Sequence, residues 1–198
     1  MFRLLPLSSL SSSFLGASLA LGLVACSGGS GGSNSSAADA GGLNDGGAMT
    51  CPAADDFGDL GAAGGNVFAQ SQYLSVDVEL ASSPRDLFVV ELFEGSAPFE
   101  NGIAAGTFEI SGTQTDYNTC GTCVSVWADV VDGTASMVYL AQSGTLTVTS
   151  IEGRFTGSFA ATGGSSTFVG YRLTTDTSSE EAPECTLKGG NVSWDSPI

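Results

Sequence analysis

The sequence contains no histidine among its 198 residues. Without an imidazole, the chain cannot form a Ser-His-Asp or Cys-His catalytic arrangement, nor a histidine-based zinc or copper site. It also lacks the side chain whose ordinary pKa lies closest to neutral pH, so histidine-based pH switching is excluded. We therefore expect no catalytic residue of these kinds, no metal and no cofactor.

Basic residues are also scarce. Five Lys and Arg residues stand against 21 Asp and Glu residues, which gives a formal net charge of −16 at pH 7. A surface this acidic repels nucleic acid, so we expect no nucleic-acid partner. Charged residues make up only 13% of the chain, whereas glycine alone occurs 28 times. Such a composition is typical of a turn-rich β protein.

The first 26 residues have the order of a secretory signal: Arg3, an apolar run over residues 4–24, and small residues that lead into Cys26. The sequence Leu23-Val24-Ala25-Cys26 resembles the lipobox of bacterial lipoproteins. This resemblance implies that residues 1–25 are a type II signal peptide. It further implies that Cys26 is acylated and anchors the chain to a membrane.

A serine after the lipidated cysteine of such proteins usually implies sorting to the outer membrane, and Ser27 fits that pattern. We therefore expect a cell-envelope location, with the domain on either the periplasmic or the surface side. Two alternatives are a transmembrane anchor and a non-lipidated signal peptide cut after Ala25. Pro6 and the serines at positions 8–13 disfavour a spanning helix, which needs about 20 predominantly apolar residues.

The chain after the signal divides into a tether and one domain. Residues 26–50 are dominated by Gly, Ser, Ala and Asn without apolar periodicity, and such a segment cannot offset its ordering entropy. We therefore expect a disordered tether, with a span of roughly 25–30 Å for a Gly/Ser-rich coil. Residues 51–198 have the length of a single domain with its own core.

Apolar residues in the domain recur with a period of two. Residues 73–80 alternate cleanly between apolar and polar, which indicates a half-buried strand. Residues 86–94 are apolar on both faces, which indicates a central strand. Further strands are predicted at 107–110, 124–131, 136–141, 145–151, 154–162, 167–174 and 191–194. We predict an all-β fold, an antiparallel β-sandwich or partly closed barrel of about 8–10 strands.

The connections between these strands are rich in turn dipeptides. Glu152-Gly153 lies directly between two alternating runs and predicts a tight hairpin. Similar signals across residues 124–174 predict a meander of successive hairpins. Residues 53–60 are the one segment in which we expect a helical turn.

Four cysteines remain beyond Cys26, and an even number in an exported chain indicates disulfides. Cys51 and Cys185 bracket the domain, whose ends we expect to lie close together. We therefore favour Cys51–Cys185 with Cys120–Cys123, and keep the crossed pairing as the alternative. A strand pattern, rather than a helix, follows Cys123, which disfavours a thioredoxin-like redox site.

Other candidate sites are less specific. Tyr73 and Trp127 fall on the polar faces of their strands and are our candidate ligand-binding residues, with saccharide stacking in mind. Asp55, Asp56 and Asp59 form one acidic group. Another consists of Asp129 and Asp132. Neither matches an EF-hand loop, so we interpret both groups as solvated turns.

The stretch from Tyr117 to Ile151 resembles segments of uncharacterised Gram-negative envelope lipoproteins, which implies an envelope location and no catalytic residues. The sequence thus favours a membrane-anchored, non-catalytic structural or interaction module that binds an envelope polysaccharide or protein partner. One alternative is a carbohydrate-binding lipoprotein. Another is an envelope hydrolase that uses paired carboxylates, which such enzymes hold about 5–10 Å apart.

Overall fold

Two β-sheets form the domain in the computed structural model, which describes residues 51–52, 54–174 and 179–198. The signal segment, Cys26 and the tether lie outside the described residues. One compact unit spans Ala48–Ile198. The described strands are β1 (Leu60–Ala63), β2 (Asn66–Gln70), β3 (Tyr73–Ser82), β4 (Arg85–Phe93), β5 (Gly106–Glu109), β6 (Thr122–Ala128), β7 (Met137–Ala141), β8 (Thr145–Ser150), β9 (Arg154–Ala160), β10 (Ser166–Leu173), β11 (Ser179–Gly189) and β12 (Val192–Pro197).

The large sheet has seven strands in the order β11-β10-β7-β6-β4-β3-β2, and the small sheet has five in the order β1-β12-β9-β8-β5. Neighbouring strands run antiparallel, except that β1 runs parallel to β12. The predicted all-β sandwich is confirmed, with twelve strands in the described part instead of about 8–10. The added strands β1, β2 and β11 are edge strands. Their alternation is weak because an edge tolerates polar residues and proline.

The core lies between the two sheets. The large sheet supplies Val76, Phe88 and Val126 from its inner face, the face turned toward the small sheet. The small sheet supplies Leu146 and Phe159 to the same cluster. Alternation along β3 places Leu74, Val76 and Val78 on this inner face, as the sequence predicts. Strand β4 lies between β3 and β6 and is buried along most of its length, which confirms a central strand.

Two local expectations are wrong. The 124–174 segment is not a meander, because the chain leaves the large sheet after β7, forms the β8–β9 hairpin in the small sheet, and returns as β10 beside β7. Residues 54–60 contain no helical turn. Instead, the backbone N–H of Phe57 donates to the Lys188 carbonyl at 3.0 Å, and this bridge to the end of β11 satisfies the backbone without a helix. The Glu152-Gly153 hairpin is confirmed.

Both favoured disulfides are present, so the crossed pairing is not observed. Cys51–Cys185 joins residues 134 apart in sequence, and Cys120–Cys123 joins residues three apart. Cys185 is buried in the core between the sheets, whereas Cys120 and Cys123 lie in a separate cluster with Leu140 and Tyr171. Within the described part of the chain, no helical segment has the length and apolarity needed to cross a membrane.

Candidate functional site

The outer face of the large sheet, turned away from the small sheet, carries a buried acid. Glu91 lies in the second half of β4, with Ser75 of β3 and Cys123 of β6 as its cross-strand neighbours. Only 5% of Glu91 is exposed to solvent. A carboxyl group at such a depth needs hydrogen-bonding partners, because its charged form is costly to remove from water.

Two tyrosines face this carboxyl group. The Tyr73 hydroxyl donates to Glu91 Oε1 at 2.9 Å. The Tyr117 hydroxyl also interacts with the carboxyl group, but outside the geometry of a full hydrogen bond. Among the described residues, Glu91 Oε2 is therefore buried without a hydrogen-bond partner.

Burial dominates the ionisation of this group. It raises the pKa of Glu91 to about 7, although both tyrosine hydroxyls act in the opposite direction. Burial, followed by the negative charge of Glu91, also raises the pKa of Tyr73 and of Tyr117. Both tyrosines therefore remain protonated hydrogen-bond donors at any physiological pH, while Glu91 changes charge near neutrality.

The segment that carries Tyr117 is fastened to the large sheet. A short 3-10 helix at Gly112–Thr115 precedes it, and Gln114 Oε1 there accepts hydrogen bonds from the backbone N–H groups of Gly121 and Thr122 at 2.9 and 2.7 Å. The Tyr171 hydroxyl donates to the Thr115 carbonyl at 3.1 Å. With the Cys120–Cys123 bridge at its end, this segment holds Tyr117 over the outer face.

Three aromatic rings follow one another beside Glu91, and we call Phe68, Tyr73 and Phe93 the aromatic strip. The ring centroids of Phe68 and Tyr73 are 6.0 Å apart, and those of Tyr73 and Phe93 are 5.1 Å apart. The strip begins on the edge strand β2, where 55% of Phe68 is exposed. Tyr73 and Phe93 are both half-buried. It combines an exposed apolar surface with a fixed hydroxyl group.

Tyr73 and Trp127, the ligand-binding candidates from the sequence, do not form one site. They share the outer face, but Tyr73 is paired with Phe93 and Trp127 with Leu87. Those partners are six residues apart on β4, a distance of about 20 Å at the usual rise per strand residue. Trp127 packs against a small apolar cluster, and its Nε1 donates to Ser125 Oγ at 3.1 Å.

The acidic residues near the N-terminal end of the domain have structural partners. Asp56 Oδ1 accepts the backbone N–H of Lys188 at 2.6 Å, and Asp59 Oδ1 accepts that of Asn191 at 2.8 Å. These bonds fasten the segment before β1 to the end of β11 and the turn after it.

The second acidic group lies around the connection after β6. Asp86 Oδ1 accepts the backbone N–H of Asp129 at 2.9 Å, which fixes the start of this connection to β4. Burial raises the pKa of Asp86, although this hydrogen bond lowers it. In the described ranges, no group of three or more Cys, Asp or Glu side chains has an arrangement that could hold a metal ion.

Comparison with models of protein families, with curated proteins and with solved structures finds no match for this chain. The site is therefore interpreted from its own chemistry. Sequence reasoning missed Glu91, Phe68, Phe93 and Tyr117 as members of a cluster around Tyr73. A signal was present, because Glu91 is the single charged residue in the apolar run from Leu87 to Phe93. An ionisable residue in a central strand marks a position with special partners.

Proposed function

We propose that this chain is a lipid-anchored, non-catalytic interaction module of the bacterial cell envelope. Its β-sandwich domain binds a partner through the aromatic strip on the outer face of the large sheet. The observation that carries the proposal is the half-exposed ring of Phe68, which continues into Tyr73 and the buried Glu91 instead of standing alone. A fixed apolar surface with an oriented polar group is the usual chemistry of a recognition site.

Membrane attachment is proposed from the lipobox that ends at Cys26, with outer-membrane sorting from Ser27. Two or more acyl chains on one cysteine make such an anchor durable, because each buried methylene group contributes about 0.8 kcal/mol. The Gly/Ser-rich residues 27–50 then give the domain reach from the membrane surface.

The surroundings of Glu91 favour binding over hydrolysis. Glycoside hydrolysis by paired acids needs a second carboxyl group on the other side of the scissile bond. The pKa of Glu91 is shifted by burial and by two tyrosine hydroxyls, and no other carboxylate of the described residues contributes to that shift. Glu91 is therefore suited to orienting the hydroxyl of Tyr73 rather than to working with a second acid.

The anchor and the binding activity are tested separately. Cys26→Ser should leave the chain unlipidated, either uncleaved or released as a soluble folded protein, whereas the unchanged chain should fractionate with membranes. If the fully processed Cys26→Ser protein still fractionates with membranes, the anchor lies elsewhere.

For binding, the soluble Cys26→Ser chain is incubated with isolated cell-wall and surface polysaccharides and with solubilised envelope proteins. We expect capture of the chain by one of these fractions, with no reducing sugar released and no shortening of the polymer. Release of a soluble product would contradict the non-catalytic module. Failure to bind any fraction would contradict the interaction function.

A further inference from the structure

We propose that the aromatic strip is a binding site for a neutral saccharide chain, which stacks its apolar C–H faces on Phe68 and Tyr73. This inference rests on the proposed function and adds to it the residues of the site and the chemical class of the ligand. The strip supplies three ring contacts in sequence, at centroid spacings of 6.0 and 5.1 Å. Adjacent rings are inclined to each other, by 62° between Phe68 and Tyr73 and by 47° between Tyr73 and Phe93, so the strip offers an angled apolar surface to a narrow ligand at the sheet edge.

Glu91 acts here as a positioning residue. The Tyr73 hydroxyl donates its hydrogen to Glu91 Oε1 and also interacts with the side chain of Ser75, so both partners hold the hydroxyl end of the ring in place. The ring face of the same side chain is then left to contact the C–H groups of the sugar. The Tyr73 ring is also held against Phe93, so its orientation is fixed before the ligand arrives.

Polar side chains flank the rings on the same face of the sheet. Gln70 is paired with Tyr73 across the β2–β3 hairpin and is exposed to solvent. Asn66, two residues before Phe68, is exposed and donates through Nδ2 to Asp77 Oδ2 at 3.0 Å. Amide groups beside aromatic rings match the alternation of hydroxyl and C–H surfaces on a sugar.

The charge near the strip favours a neutral ligand over a polyanion. Arg85 is the one basic residue on β3 or β4, and it lies between Asp77 and Glu79 at 3.8 and 3.6 Å. Its charge is therefore engaged by two carboxylates, one of which, Asp77, lies across from Asn66 on β2. The chain as a whole has a net charge of −16, so acidic polysaccharides are repelled from this surface.

The described residues expose too few large apolar side chains for a protein partner of standard size. The large apolar side chains that are exposed in the described residues lie on separate elements: Phe68 on β2, Val131 after β6, Leu173 on β10 and Ile198 after β12. A stable protein interface buries about 800 Å² on each partner around a contiguous core. One exposed ring with two half-buried neighbours matches a single polymer chain instead.

The test uses calorimetric titration of the soluble Cys26→Ser chain with three probes: cellohexaose, maltohexaose and hexagalacturonic acid. We expect at least one neutral hexasaccharide to bind and the anionic one not to bind. Phe68→Ala should weaken binding about 3- to 10-fold, which is the usual contribution of one aromatic contact. Leu173→Ala is the matched control, because that side chain is 40% exposed on another strand, and it should leave the affinity unchanged.

Two variants test the positioning role of Glu91. Glu91→Gln keeps an oxygen that accepts from Tyr73, so affinity should stay within about twofold of the parent, whereas Glu91→Leu removes that acceptor and should weaken binding as much as Tyr73→Phe. Thermal melts show that each variant is folded at the temperature of the titration. Glu91→Leu carries a greater risk to folding than Glu91→Gln. If Glu91→Leu does not fold, the loss of affinity in Tyr73→Phe relative to Glu91→Gln still tests the positioning role.

Three results would overturn the inference: no binding of either neutral hexasaccharide by the folded chain, tighter binding of hexagalacturonic acid, or equal loss of affinity in Phe68→Ala and Leu173→Ala. These results are distinguishable from failure of the proposed function. A chain that ignores saccharides but captures an envelope protein remains an interaction module. A chain that cleaves a polysaccharide does not.

Discussion

The two faces of the large sheet are covered by different parts of the chain, although the same strands form both. On β4, Phe88 and Leu92 turn inward and pack in the core between the sheets. Val89 and Glu91 turn outward from the same strand and are equally buried, but beneath connecting segments instead of a second sheet. The inward side chains Phe88 and Leu92 are apolar, whereas Glu91 places an ionisable group on the outer face of the same strand. A sheet face covered by connecting segments can therefore bury an ionisable group when those segments supply its hydrogen-bonding partners.

The two disulfides divide in the same way. Cys51–Cys185 fastens the first described residues to β11 within the inner core. Cys120–Cys123 closes a turn on the outer face, beside the segment that carries Tyr117. The inner bridge constrains almost the whole domain, and the outer bridge constrains one local turn.

The largest expected effect is loss of the inner disulfide. Because its two cysteines are 134 positions apart in sequence, Cys51–Cys185 should stabilise the fold by about 5 kcal/mol in the chain-entropy model, against about 2 kcal/mol for the four-residue loop. The double change Cys51→Ala with Cys185→Ala should therefore lower the melting temperature much more than the double change at Cys120 and Cys123. If a denaturant titration shows equal losses in the free energy of unfolding for the two double changes, the two disulfides do not differ in how much they stabilise the fold.

A truncation in the inner core should rank second. Phe88 is fully buried and its ring lies 6.1 Å from Phe57 and 6.0 Å from Phe159. Phe88→Ala should cost about 3–5 kcal/mol in the free energy of unfolding, because it removes a large side chain and leaves a cavity. Phe93→Ala is the matched change on the outer face. Since Phe93 is only half-buried, its loss should be less than half as large in the same urea titration.

The third effect belongs to the outer face alone. The pKa of Glu91 rises from an ordinary value of 4.5 to about 7 on folding, because burial disfavours the charged form. The folded state therefore holds the proton more tightly than the unfolded chain. Its contribution to stability is complete below pH 4.5 and is lost as the pH rises through about 7. The total loss is about 3 kcal/mol by the usual conversion of pKa into free energy.

Urea titrations between pH 4 and pH 8 measure this effect as the difference in free energy of unfolding between the parent chain and Glu91→Gln. The difference removes contributions from the other carboxyl groups, including Asp86, whose pKa is also raised. The parent should lose stability relative to the variant as the pH rises. Parallel pH profiles would mean that Glu91 has the same pKa in the folded and unfolded states.

Sequence reasoning predicts the inner face better than the outer one. Alternation along residues 73–80 assigns the inner side chains correctly, because burial between two sheets leaves a strict period of two. The same periodicity describes Glu91 only as an outward residue. Its burial depends on Tyr117, which is 26 residues further along the chain and is placed by Gln114 and the Cys120–Cys123 turn. Contacts made by irregular segments leave no periodic signal.

Edge strands were missed for a related reason. Strand β11 contains Glu180, Glu181, Pro183 and Glu184, a composition that disfavours an interior strand. It is tolerated because β11 has a single neighbour, β10, within the large sheet. Pairing across the sandwich depends on partners distant in sequence, so the order of strands could not be read from local turn signals.

The smallest expected effect on stability is at Phe68, where the outer face is open to solvent. Phe68→Ala removes an exposed ring whose contact with Tyr73 has a centroid distance of 6.0 Å. Such a change should lower the free energy of unfolding by less than about 1 kcal/mol, because little apolar surface returns to water. Thermal melts of Phe68→Ala and Phe88→Ala under one buffer make the comparison direct. A loss at Phe68 as large as that at Phe88 would show that the strip is part of the fold's core, and its exposed ring could then no longer be assigned to ligand contact.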